Sequence, residues 1–220
     1  MEAIQQLAKP LKKSQVDAAS RFWLEGDWES KEFAQLRQAF PNPDDAISIK
    51  AIVINALYGT NIFAITKVAD CVERVLRRNC STGSDLVEEL VSEIRVITKQ
   101  GNYSFAAKYA HFFVDSNLPI LDWYAEWMVG KHLGQMRSKN PKRYHKFTED
   151  IETLKRVAGL NCSCEDLDSY LWVAGEYWYW KEYPKVQVNT GLKLQFENVL
   201  KNPGSEPVLA ALLGLSEGRV

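Results

Sequence analysis

Residues 101–129 read GNYSFAAKYAHFFVDSNLPILDWYAEWMV, and this stretch decides the fold class. Gly101-Asn102 makes a turn, and the Ala- and aromatic-rich run from Tyr103 to Phe113 has no strand-like alternation, so it reads as a helix. Pro119 closes the connection that follows, and helical spacing resumes from Asp122 to Leu133. The same spacing extends upstream. From Ile47 to Leu76 the apolar residues recur at steps of three and four, interrupted only by Tyr58-Gly59-Thr60-Asn61. That pattern predicts two helices joined by a turn, with Thr60 or Asn61 capping the second. Ser84 to Ile97 predicts another helix through Leu86, Leu90, Val91, Ile94 and Ile97. Pro41-Asn42-Pro43-Asp44-Asp45 reads as a turn in which Asp44 or Asp45 caps a helix opening at Ala46. Downstream, one or two helices are predicted between Ala158 and Tyr179, starting near Cys164 to Asp166, and a short apolar one over Pro207 to Leu213. Val186-Gln187-Val188 alternates for three residues only. The chain is therefore expected to be all-α.

Composition narrows the class. Of 220 residues, 46% are hydrophobic and 25% charged, which excludes a disordered tail, a fibre or a disulfide miniprotein. The stretch Met1 to Gln6 lacks the basic start and apolar core of a signal peptide, and no apolar run reaches the length of a membrane span. A cytoplasmic protein without a membrane partner is expected. Cys71, Cys80, Cys162 and Cys164 have neither zinc nor iron–sulfur spacing, so they read as reduced structural thiols, with no metal and no cofactor. The net charge of −1 excludes a chain that coats nucleic acid indiscriminately. It is an average, however. Between Glu126 and Glu149 there is no acidic residue, while Lys131, Arg137, Lys139, Lys142, Arg143 and Lys146 all occur. That segment could supply phosphate contacts along one rim of a site, or be a solvated basic loop.

Asp122 stands where a helix begins. It could simply cap that helix, since a carboxylate there accepts from the unpaired N–H groups of the first turn. The order helix, hairpin, Ala-rich helix, then Leu118-Pro119-Ile120-Leu121-Asp122 also resembles the helix-hairpin-helix DNA glycosylase superfamily. Its hairpin is usually L-P-G-x-G-x-(K or S)-T-A, and the later Asp is the catalytic carboxylate. Leu118 to Asp122 is similar to the F-P-I-L-D segment of the adenine-specific mismatch glycosylases. Eighteen residues before Asp122 lies Ser104, where that branch has Ser and the lyase-type branches have Lys. Ile52 to Asn61 is similar to the superfamily's I-L-S-A-Q-x-T-D segment, which puts Tyr58 at or beside its helix-intruding Gln. Ser104 to Lys108 with Pro119-Ile120-x-Asp122 also resembles 8-oxoguanine glycosylase-like bacterial proteins.

The resemblance covers roughly 46–129. It implies one all-α unit over 1–220 with a glycosylase-like core at 46–129 and a second lobe from 1–45 plus 130–220. It further implies a DNA repair hydrolase that cleaves the N-glycosidic bond of a damaged or mismatched base. In that reading Asp122 stabilises positive charge developing on the sugar and orients the attacking water. Trp123 and Trp127 would line the pocket for a flipped base. Tyr58, Asn61, Gly101 and Asn102, with Lys131, Arg137, Lys139, Lys142 and Arg143, would contact DNA. Lys108 shares a helix face with Ser104, one turn deeper, and offers a Schiff-base route; it could equally be a snorkelling surface lysine. His111 reads as a core or surface histidine. The hairpin Lys99-Gln100-Gly101-Asn102-Tyr103 has one Gly where the family has two and lacks the Leu-Pro start, so its anion nest is poorer. The competing reading is a non-catalytic helical module that binds nucleic acid or a protein partner.

Overall fold

The computed structural model describes residues 7–26, 31–78, 81–135 and 142–215, and the expectations for Cys80, Arg137 and Lys139 lie outside them. The described residues form eleven α-helices, one short 3₁₀ turn and no strand, so the fold is all-α. In chain order the helices are α1 (Lys13–Glu25), α2 (Lys31–Ala39), α3 (Ile47–Tyr58), α4 (Ile65–Arg78), α5 (Gly83–Thr98) and α6 (Tyr103–Phe113). They continue as α7 (Trp123–Leu133), α8 (Arg143–Ala158), α9 (Cys164–Glu182), α10 (Thr190–Lys201) and α11 (Pro207–Leu213). No described helix is long and apolar enough to cross a membrane.

Contacts group the chain into two units. One comprises 29–122 with 138–149, the other 1–28, 123–137 and 150–220. Among the described residues the chain passes between them at Asp122–Trp123 and within α8.

In the first unit α6 is the central element. Nine of its eleven residues are buried, among them Phe105, Tyr109, Phe113 and the polar Lys108 and His111. A helix buried on nearly all sides has no polar face, which is why its sequence shows no amphipathic stripe. Helices α3 and α5 pack on α6, and α4 packs between α3 and α5. The turn before α3 is built differently from the sequence expectation. Asp45 Oδ2 accepts from Asn42, by backbone at 3.3 Å and side chain at 2.8 Å, closing the turn on itself. Ala46 then occupies the cap position with φ 47° and no side-chain cap. The Pro41–Asp45 turn is pinned from α3 by the Lys50 ammonium on the Asn42 carbonyl, and from α6 by Tyr109 Oη donating to Pro43 O at 2.6 Å.

In the second unit the corresponding element is α9, against which α1, α7 and α11 pack. Ser163 and Asp166 form a reciprocal capping box that starts it. Gly175 sets the α7–α9 approach: a Cβ there would lie 2.7 Å from Tyr124 O and 2.9 Å from Tyr124 Cβ. Gly175→Ala should therefore force the two helices apart. We expect a net loss of about 1–2 kcal/mol, the overpacking cost outweighing the better helix propensity of Ala; thermal unfolding reads it as a lower Tm.

His132, on α7, is fully buried. Its Nδ1 is 2.7 Å from Lys9 O, which can only accept, so Nδ1 carries the proton and Nε2 accepts from Tyr170 Oη at 3.2 Å. Burial pushes its pKa down from 6.5 to about 4. Between those values the unfolded chain binds a proton that the folded chain does not, so this residue's contribution is full above pH 6.5 and is lost as pH falls toward 4. The component is of order 3 kcal/mol. Urea midpoints at pH 7 and pH 4.5 should differ less in His132→Gln, which is neutral throughout, than in the wild type.

Candidate functional site

The site is assembled on α6 by its own cap. Asn102 Oδ1 accepts from Phe105 N at 3.0 Å, while Asn102 Nδ2 donates to Thr60 O at 2.9 Å. The turn it reaches is stitched by Asn55, whose Oδ1 accepts from Thr60 Oγ1 at 2.8 Å and Ile62 N at 2.9 Å. Thr60 is thus a donor to Asn55, and Asn61 is an exposed residue with φ 56°. In the hairpin the left-handed residue is Lys99, with φ 61°, and Gly101 lies outside that region. What Gly101 supplies is close approach, because a Cβ would lie 2.7 Å from Arg95 Nη2 and 2.9 Å from Val91 Cγ1.

One turn along α6, Lys108 is 4% exposed. Its Nζ donates to Ser104 Oγ at 3.1 Å and to Asp122 Oδ2 at 3.4 Å. The face of Tyr58 covers the ammonium at 5.3 Å from the ring centroid. Tyr58 is fixed in turn by stacking on Phe112 at 5.4 Å, with Phe33 edge-on to both rings. The arrangement joins Ser104, Lys108, Asp122 and Tyr58 in one place. An amine, a hydroxyl and a carboxylate against an aromatic wall can transfer a proton among themselves, present a nucleophile or stabilise a cation. Lys108 is not a snorkelling surface residue, since its charged end is buried and paired.

The segment carrying Asp122 is held by its backbone. His111 Nδ1 donates to Leu118 O at 2.7 Å, and Tyr144 Oη donates to Pro119 O at 2.7 Å. Leu118, Ile120 and Leu121 are buried. Tyr144 is itself anchored: its N donates to Glu88 Oε1 at 2.7 Å, and the other oxygen of Glu88 accepts from Tyr103 Oη at 2.9 Å. Sequence reasoning missed Glu88 and Tyr144. The signal for Tyr144 was present in the steps of three and four through Tyr144, Phe147, Ile151 and Leu154, which mark α8. The lysines and arginines around it drew attention to charge instead.

The remaining expected residues fall elsewhere. Trp123 and Trp127 stand on α7 in the other unit, where both, with Tyr124, pack edge-on against Tyr179 at 5.4–6.0 Å. Lys131 is in that unit too, paired with Glu182 at 2.5 Å and lying over Trp127 at 4.8 Å. Lys142 precedes α8 and Arg143 opens it, the latter 5.4 Å above the Tyr103 ring. The stretch from Arg143 onward is helix rather than loop. His111 is a core histidine. Among the described residues no group of three or more His, Cys, Asp or Glu could hold a metal ion. The thiols of Cys71, Cys162 and Cys164 are pushed above their ordinary range by burial.

Comparison with known proteins adds a boundary. A family model, HI_0787_N, described as an N-terminal domain, matches residues 13–117, somewhat under half the chain. The match runs from α1 through α6 and stops five residues short of Asp122. No curated protein matches the chain, and no solved structure does.

Removing the Tyr144 hydroxyl leaves the buried Pro119 carbonyl without that donor. Tyr144→Phe should cost about 1–3 kcal/mol in thermal unfolding and speed amide exchange at Ile120 to Asp122 more than in α6. Uniform protection would show that the hydroxyl does not hold this segment.

Proposed function

We propose that the chain is a base-excision DNA N-glycosylase of helix-hairpin-helix type, with Asp122 as its essential carboxylate. The observation that carries this reading is the contact between Lys108 and Asp122, 3.4 Å apart on the segments that the sequence resemblance singles out. Cleavage of an N-glycosidic bond leaves the bonding pair on the departing base and positive charge on the sugar. A carboxylate facing that sugar stabilises the charge. It can then take the proton of a water that attacks the same carbon.

Lys108 adds a second route. With its proton passed to Asp122, the amine can attack the sugar carbon, forming a C–N bond as the base leaves and takes up a proton. Tyr58 suits either route, since an aromatic face beside the site can stack on an extruded base. The expected DNA contacts at Asn61, Gly101, Lys142 and Arg143 belong to this proposal.

A second reading, a non-catalytic helical module that binds nucleic acid or a protein partner, draws on the hairpin. Both ends of the Asn102 amide are spent inside the protein, and the left-handed turn falls at Lys99. Both features suit a structural joint better than a phosphate nest.

Incubation with a panel of oligonucleotides carrying damaged or mismatched bases separates the two. The wild type should release a base from at least one member, and Asp122→Asn should lower that rate by roughly 10²–10³-fold with the fold unchanged by circular dichroism. Borohydride during cleavage should trap a covalent adduct that Lys108→Gln cannot form if the amine attacks. Tight, salt-sensitive binding without release from any member would favour the second reading.

A further inference from the structure

Helices α7 and α9 meet along a row of aromatic residues that the Lys108 site does not use. Their contacts run in step: Tyr124 meets Gly175, Trp127 meets Tyr179 and Lys131 meets Glu182, so the helices lie side by side in the same direction. On α7, Trp123, Trp127 and Lys131 are spaced i, i+4, i+8 and share a face. On α9 and at its cap, Tyr179, Glu182 and Tyr183 are spaced i, i+3, i+4. Tyr179 joins the rings into one group, with Trp123 at 5.8 Å, Trp127 at 5.4 Å and Tyr183 at 4.9 Å. Rings that serve only the core of this unit are covered, as Tyr170 and Tyr177 of α9 are. This group is not: Trp123 is 41% exposed and Tyr183 45%, and Trp127 and Tyr179 are half-buried.

Two ammonium groups stand beside the rings. Lys131 Nζ lies 4.8 Å over Trp127 and is paired with Glu182. Lys9 is tied to the end of α7, its carbonyl accepting from His132 Nδ1 at 2.7 Å, and its Nζ lies 3.3 Å over the Trp178 ring. Among the described residues Lys9 has no carboxylate partner. Burial, and then the like charge of Lys131, push its pKa down to about 8. A half-buried ammonium met only by a ring face, with a second ammonium acting on it, favours an anion as its missing partner.

We propose that this face of α7 and α9 binds a single strand of nucleic acid, its bases stacking on Trp123, Trp127 and Tyr183 and a backbone phosphate meeting Lys9. The two features select that ligand together. A neutral sugar could stack on the rings but would leave Lys9 without a counter-charge. A small anion would satisfy Lys9 and use none of the rings. A duplex keeps its bases stacked on one another, away from the aromatic faces. A single strand presents base faces and phosphates side by side. All of these residues belong to the unit that lacks Lys108 and Asp122. The inference is therefore independent of the glycosylase reading, and base release neither supports nor refutes it.

Fluorescence anisotropy of a labelled oligothymidylate of about 12 nucleotides, titrated with the full chain over a salt series, tests it. The wild type should bind, and more weakly as salt rises. Tyr183→Ala and Trp123→Ala should each lower the affinity about fivefold or more at every salt concentration, with an unchanged circular dichroism spectrum. Tyr183→Phe, which keeps the ring, should bind as the wild type does. Lys9→Gln should flatten the salt dependence by about 0.7 in the slope of log K against log salt, the share of one phosphate contact on a single strand. A wild type that does not bind the strand overturns the proposal, as does one that binds maltoheptaose in its place. So do Tyr183→Ala and Trp123→Ala variants that bind as tightly as the wild type, or a Lys9→Gln variant with an unchanged salt slope.

Discussion

A lysine whose charged end is buried in a helical core must be met by a counter-charge and by hydrogen-bond acceptors. Desolvating an ammonium costs several kcal/mol that apolar packing does not return. Lys108 is in that position, and much of the surrounding unit is arranged around it. Asp122 supplies the charge, Ser104 a second acceptor and Tyr58 the electron-rich face of a ring. Each of these partners comes from a different place in the chain, so the ammonium couples the end of α3, two turns of α6 and the segment ahead of α7. Such a pair is a doubtful source of net stability, since an apolar pair of similar volume would serve a core as well or better. Its presence on the most buried helix of the unit is an argument for chemistry.

The supports behind that pair form a chain of dependence. Glu88 on α5 accepts from the Tyr144 peptide N–H in the first turn of α8, and it also receives Tyr103 at the start of α6. Tyr144 hands the constraint on to the Pro119 carbonyl, and His111 does the same at Leu118. Asp122 is therefore positioned by backbone contacts made three and four residues before it. The carboxylate's own side chain is left to meet Lys108. On the other side Asn102 fastens the α5–α6 hairpin to the turn after α3, which keeps Tyr58 facing the amine.

The helix class and the elements nearest the site were legible in the sequence, because α4 and α5 each bury one stripe and leave the periodicity visible. The boundaries of α6 were readable for another reason: Gly101-Asn102 and the residues after Phe113 punctuate a run that has no pattern of its own. The sequence left Lys108 open between a surface and a site role, since one lysine in an apolar helix looks the same either way. Only the return of Asp122 across the fold decides its burial. Asp45 was misread because a carboxylate before a helix ordinarily accepts from that helix, whereas here it turns back to Asn42. The basic residues 131–146 could be one rim of a site or a solvated loop on sequence alone; Lys131 belongs to one unit and Lys142 and Arg143 to the other. Charge counted along a chain carries no information about such a division.

The extent of the family match acquires a meaning from these contacts. Residues 13–117 contain Lys108 but neither Asp122 nor Tyr144, and they contain α1 but neither α9 nor α11, on which α1 packs. A polypeptide cut at those limits would carry a buried cation without its counter-charge and a helix without its core. The span recognisable by sequence similarity is thus narrower than the span that must fold together. A boundary drawn for expression, or for grafting this scaffold onto another chain, has to follow the hydrogen bonds to Leu118 and Pro119 and not the edge of the recognisable sequence.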